Sequence, residues 1–220
     1  MERNNSITML NTNVERSKTS FRERLNYFIS TPVKNNKSND LSRSFRRFKA
    51  FIPNEQKFTL TTYDKIPVVL CDKTYNVIKH LTDIIEEIKH SEYIPSLKEG
   101  WDEENAQIIK KDIYDSSIYF LVEYSNYISS HLSTDISKPE INPCADGSID
   151  LSWRSKNARL LINISSKRNQ ILAYYYGDLN KNQHPISGIL NPNDPNIDIS
   201  VAKWMEDNLG SHVESRSNTR

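Results

Sequence analysis

The chain has 220 residues, 29 Lys and Arg against 28 Asp and Glu, a formal charge of +1, 36% hydrophobic residues and a mean hydropathy of −0.67. No run approaches the roughly 20 apolar residues of a membrane span, and Met1–Ser6 opens no apolar core of signal-peptide length. Two cysteines, Cys71 and Cys144, are too few for a disulfide framework or a four-cysteine zinc site, so the expectation is a cytoplasmic protein with no cofactor and no membrane partner.

Residues 1–19 are rich in Asn, Ser and Thr without periodicity and are expected to be disordered. Ser20-Phe21-Arg22-Glu23 fits a capping box, after which Phe21, Leu25, Phe28 and Ile29 share a helical face that Thr31-Pro32 ends. Beyond the polar linker Lys34–Asn39, a second short helix places Leu41, Phe45, Phe48 and Ile52 on one face and Arg43, Arg46, Arg47 and Lys49 on the rest, up to Pro53. Residues 1–57 carry 12 basic and 5 acidic side chains, an excess of +7; the remainder, with 17 against 23, stands at −6. A basic arm on an acidic body suits an anionic partner, or can fold back on the body.

Next come two extended pieces, Lys57–Tyr63 and Ile66–Cys71, with Pro67 marking an edge or a strand start for the second. Asp72 then reads as the cap of a helix carrying Val77, Ile78, Leu81, Ile84, Ile85 and Ile88, followed by a loop from Ser91 to Gly100. Asp102 reads as the cap of a long helix through Leu132, with Ile109, Ile113, Phe120, Leu121, Tyr124 and Ile128 on one side. After the turn signal Asp146-Gly147 the period changes to two. Ile149, Leu151 and Trp153 alternate with Ser148, Asp150 and Ser152, then Leu160–Ile164 and Ile171–Tyr176 follow across short polar turns. Leu161, Leu172, Tyr174 and Tyr176 leave the second face of these strands partly apolar. Leu179–Asn196 reads as a long loop and Ile199–Leu209 as a last helix ended by Gly210. The expected class is α+β: an antiparallel β-meander packed against two long helices over residues 56–210, with a basic, partly helical arm over 1–55 and a mobile tail over 211–220.

Gly100-Trp101-Asp102, the later Pro143, the strand Asp146-Gly147-Ser148-Ile149-Asp150-Leu151-Ser152-Trp153, the apolar strand Leu160–Ile164 and the pair Tyr174-Tyr175 together resemble a group of small bacterial proteins over roughly residues 94–209. In that group a Gly-Trp-Asp segment opens a helix and is usually followed by glycines where this chain has Glu103 and Asn105. The resemblance implies a bacterial cytoplasmic source and brings no activity with it.

Two readings of Gly100-Trp101-Asp102 are open. Trp101 could stack on a ligand while Asp102 accepts a hydrogen bond from it. Alternatively Gly100 allows the turn, Trp101 staples the loop and Asp102 caps the helix. His80, His90, His131, His184 and His212 show no i, i+4 pair, so no metal is expected. There is no Gly-x-Ser-x-Gly, no Walker-type loop and no Gly-x-Gly-x-x-Gly. Glu87-Ile88-Lys89 matches half of a nuclease core but falls on a predicted helix. Tyr174–Tyr176 offers either a base-stacking platform or a covered sheet face.

The leading expectation is a non-enzymatic accessory protein that binds a protein partner in a bacterial multi-component system such as a defence or toxin–antitoxin system. Its contacts would be Phe45, Phe48, Ile52, Arg43, Arg46 and Arg47. Nucleic-acid binding through the same arm is the alternative, and a hydrolase with an unrecognised site the second.

Overall fold

The computed structural model describes residues 63–179 and 185–211. The arm over 1–55, the strand at Lys57–Tyr63 up to residue 62, and the tail from residue 212 lie outside the described residues.

The chain enters with a two-stranded antiparallel hairpin, β1 (Lys65–Leu70) and β2 (Lys73–Ile78). The helix expected to start at Asp72 is thus corrected. Cys71 and Asp72 are the two central residues of a tight turn, both at positive φ (46° and 69°). This is the geometry that matches the twist of a hairpin. Tyr75 and Val77 point inward while Thr74 and Asn76 face solvent, the two-residue period of a strand. The helix, α1, covers only Thr82–His90 and buries Ile84, Ile85 and Ile88. Ser91–Ser96, expected as loop, winds as a 3-10 helix around Pro95.

The long helix α2 spans Lys111–His131 and begins nine residues after Asp102, so Asp102 is not its cap. Its N-terminus has no side-chain cap; Asp112 in the first turn accepts from the Ile113 amide at 2.9 Å and complements the positive helix end. Among the described residues there is one long helix rather than two, with α1 and α3 (Ile199–Leu209) short. α3 is capped by Asp198, which accepts from the Ser200 and Val201 amides at 2.9 and 3.2 Å.

The meander is larger than the alternation alone suggested. β3 (Asp135–Ile136) pairs with β9 (Gly210–Ser211) in a short ladder of its own. The main sheet runs in chain order through β4 (Glu140–Pro143), β5 (Ile149–Arg154), β6 (Ala158–Lys167), β7 (Gln170–Leu179) and β8 (Ile186–Leu190), every pairing antiparallel. β8 lies within the segment read as a loop, Leu179–Asn196. Leu151 stands opposite Ile141 on one side and Ile162 on the other, and Ile162 stands opposite Tyr175. These positions, with Ile149, Trp153, Leu160 and Ile164, form the first face.

α2 and α3 cover that face. Gly177 on β7 lets the Trp204 ring of α3 approach so closely that a Cβ there would sit 3.0 Å from it. The hairpin joins the same core through Asn126 of α2. Its Oδ1 accepts from the Ile78 amide at 2.9 Å and its Nδ2 donates to the Asn76 carbonyl at 2.8 Å. Asn126→Ala would orphan both backbone groups, and buried unmade bonds cost about 1–3 kcal/mol each. A stability loss of about 2–4 kcal/mol, read as a lowered denaturation midpoint, is the expected result; an unchanged midpoint would mean that the clamp does not hold the hairpin.

Candidate functional site

The Gly-Trp-Asp segment forms a closed loop before α2. Gly100 turns the chain at φ +73°, where a side chain would be strained, and its amide donates to the Ala106 carbonyl at 2.8 Å. Asp102 is 2% exposed, and its Oδ1 accepts from the Glu104 and Ala106 amides at 3.0 and 3.1 Å. The half-buried Trp101 donates its indole N–H to the Gln107 carbonyl at 3.1 Å. Glu103 sits at φ 66°, a conformation glycine adopts without strain. The loop is anchored to the sheet where the Gln107 amide donates to the Ala145 carbonyl at 2.8 Å, beside the Asp146-Gly147 turn.

Asp102 thus organises a loop through its carboxylate, not a helix start. Asn offers the same acceptor, so Asp102→Asn should shift stability by less than about 1 kcal/mol, whereas Asp102→Ala should cost about 1–2. Thermal melts of both variants check this. Loss of partner binding in a well-folded Asp102→Asn chain would show instead that the charge itself is used.

The second face of the sheet carries the other constellation. Arg159 on β6 stands directly opposite Asp178 on β7, and its guanidinium grips the carboxylate with two bonds, Nε to Oδ1 at 2.9 Å and Nη2 to Oδ2 at 2.5 Å. Nearby, Asn163 Nδ2 donates to Asp150 Oδ1 at 2.7 Å and to Ser148 Oγ at 2.8 Å, and Ser148 Oγ donates to Asp146 Oδ1 at 2.5 Å. Leu161 stands opposite Tyr176 and Asn163 opposite Tyr174 on this face. Burial and the Asp178 charge both push the Tyr176 phenol above its ordinary value. These polar pairs escaped the sequence reading because opposition across strands depends on register. The only signal was the odd and even alternation of residues 148–153.

The other candidates are dispersed. His80 Nε2 lies 3.0 Å from Ser129 Oγ and 3.1 Å from Asp135 Oδ1 at the end of α2. Glu87 and Lys89 are on helix α1, and the Glu87 carboxylate pairs with Lys138 at 3.3 Å. Cys71 is half-buried in the hairpin turn, Cys144 is buried, and neither is disulfide-bonded; burial raises the Cys71 pKa. Among the described residues no group of three or more His, Cys, Asp or Glu side chains could hold a metal ion, and no helix is long and apolar enough to cross a membrane. Phe45, Phe48, Ile52, Arg43, Arg46 and Arg47 lie outside the described residues. Comparison with protein-family models, with curated proteins and with solved structures finds no match to the chain.

Proposed function

We propose that the protein is a non-enzymatic accessory subunit that binds a protein partner in a bacterial multi-component system, such as a defence or toxin–antitoxin system. The observation that carries this reading is the use made of Asp102, the carboxylate of the most pointed motif. It is buried, and one of its oxygens holds two backbone amides of its own loop. A group spent in this way serves the fold. What remains for function is surface, and the arm supplies a stripe suited to a groove: Phe45, Phe48 and Ile52 flanked by Arg43, Arg46 and Arg47.

The +7 excess of residues 1–57 makes nucleic acid the competing partner. One titration series decides between them, using the full chain, Phe45→Ala/Phe48→Ala and Arg46→Ala/Arg47→Ala. The probes are the purified product of the adjacent gene and a mixed-sequence DNA duplex. A protein groove predicts that the Phe pair matters more and that salt has little effect. Contact with about four phosphates predicts a slope of log affinity on log salt near −3.6 and dependence on the Arg pair; that outcome would replace the proposal.

A further inference from the structure

The second face of the main sheet is shielded from solvent over its central strands β5 to β7, while Ile189 on β8 and Glu140 on β4 are exposed, and none of the described helices lies on it. Leu161 is 3% exposed, Asn163 3%, Asp150 5% and Arg159 7%. All four stand on the face opposite Leu151, Ile162 and Tyr175. Leu161 belongs to no part of the core cluster that unites the helices with the first face, although its neighbours Leu160 and Ile162 do. Tyr174, Tyr176 and Leu172, half-buried on the same side, are likewise outside that cluster, whereas Tyr175 and Ile171 pack against it. A bare sheet face would leave a leucine and a guanidinium wet.

We infer that the N-terminal arm, residues 1–62, is the element seated on this second face, with the Leu41, Phe45, Phe48 and Ile52 stripe against Leu161, Leu172, Tyr174 and Tyr176. Three segments of the chain lie outside the described residues, and two of them are poorly suited to the task. Residues 180–184 are five residues between the ends of β7 and β8, too few to cross the sheet. Residues 212–220 bring one apolar side chain, Val213. The arm brings eight at helical spacing: Phe21, Leu25, Phe28, Ile29, Leu41, Phe45, Phe48 and Ile52.

Dimensions and charge agree. The shielded strip spans β5 to β7, two strand spacings or about 10 Å, which is about the diameter of one helix with its side chains. The arm's +7 faces a body of −6. The arm also joins the body within reach of this face. Tyr63, its first described neighbour, packs its ring on His80 beside the end of α2 and β3, and the ten residues 53–62 can span about 33 Å from there to the sheet. This assignment goes beyond the proposed function and does not depend on it. If both hold, a partner that takes the Phe45–Phe48 stripe does so by displacing it from the sheet.

The test uses the full chain with p-benzoyl-phenylalanine in place of Tyr176, and separately of Leu172, so that one label still reports if the other disturbs folding. After irradiation, digestion and mass spectrometry, cross-links within one chain from either position to residues 1–62 are expected. Phe45→Ala/Phe48→Ala should reduce their yield several-fold. Cross-links confined to residues 180–184 or 212–220, covalent dimers marking a second copy on the face, or no cross-link from either position would each overturn the assignment. An undiminished yield in the Phe double variant would overturn the choice of stripe. A chain that binds duplex DNA and still cross-links in this way would remove the proposed function and leave this inference standing.

Discussion

Replacing Trp153 by alanine is expected to lower stability by about 3–5 kcal/mol, the range for emptying a large aromatic site in a core. Trp153 is buried on the first face between β4 and β6, opposite Leu160, and its indole N–H donates to the Ser137 carbonyl at 2.9 Å. The substitution therefore leaves a cavity and also an orphaned carbonyl in the β3–β4 connection. Trp153→Phe separates the two effects, since it keeps most of the volume and removes only the bond, and its loss should be the smaller. Denaturant midpoints of the two variants measure the difference. An Ala variant with the wild-type midpoint, or an indole freely reached by a fluorescence quencher, would place Trp153 outside the core.

Arg159→Met is expected to cost about 3–5 kcal/mol, because it leaves the Asp178 carboxylate without its cation in a poorly hydrated place. The side chains of Arg159 and Asp178 are only 8% and 14% exposed, so solvent screens the pair weakly. Removing both charges should be far milder. An apolar pair of similar volume often matches or exceeds a buried ion pair in stability, so Arg159→Met/Asp178→Leu should recover much of the single-variant loss. The four midpoints form a double-mutant cycle. Strictly additive losses would show that the two groups are not coupled and that Arg159 acts through other contacts.

Much of the α+β class was written in residues 149–176. There β5, β6 and β7 are central; β5 alternates cleanly as IDLSWR, while β6 and β7 show as apolar runs bounded by polar turns. The edge strands gave no such signal. β4 has four residues and ends on Pro143, while β8 has five, ISGIL, with a glycine at its centre. Each borrows its order from a neighbour.

The error at residues 72–78 has a different origin. Val77 and Ile78 end a strand, but they fall three and four residues before Leu81 and so mimic one helical stripe across the boundary. The turn that would have revealed the hairpin is built from Cys71 and Asp72 rather than Asn-Gly. Asp102 misled for a related reason. A carboxylate accepting from amides two and four residues on has the same sequence signature whether the chain continues as helix or as loop. Its role in holding the chain was legible, while the object it holds was not. The Arg159–Asp178 pair was not legible at all, because 19 residues and an exact register separate its members.

The order of the strands has a bearing on how the molecule comes together. Every pairing in the main sheet joins neighbours in the chain, so each closes only a short loop at small entropic cost. The clamp from Asn126 to the hairpin spans 48 residues to Ile78 and 50 to Asn76. Sequence-local pairings form early and distant ones late. The expected order is therefore β4–β8 first, with β1, β2 and α1 fastening onto α2 afterwards. Interactions made after the rate-limiting step slow unfolding without speeding folding, so the Asn126→Ala loss should appear as faster unfolding at an almost unaltered refolding rate. The hairpin that carries the arm into the body is then the last piece secured and the first released.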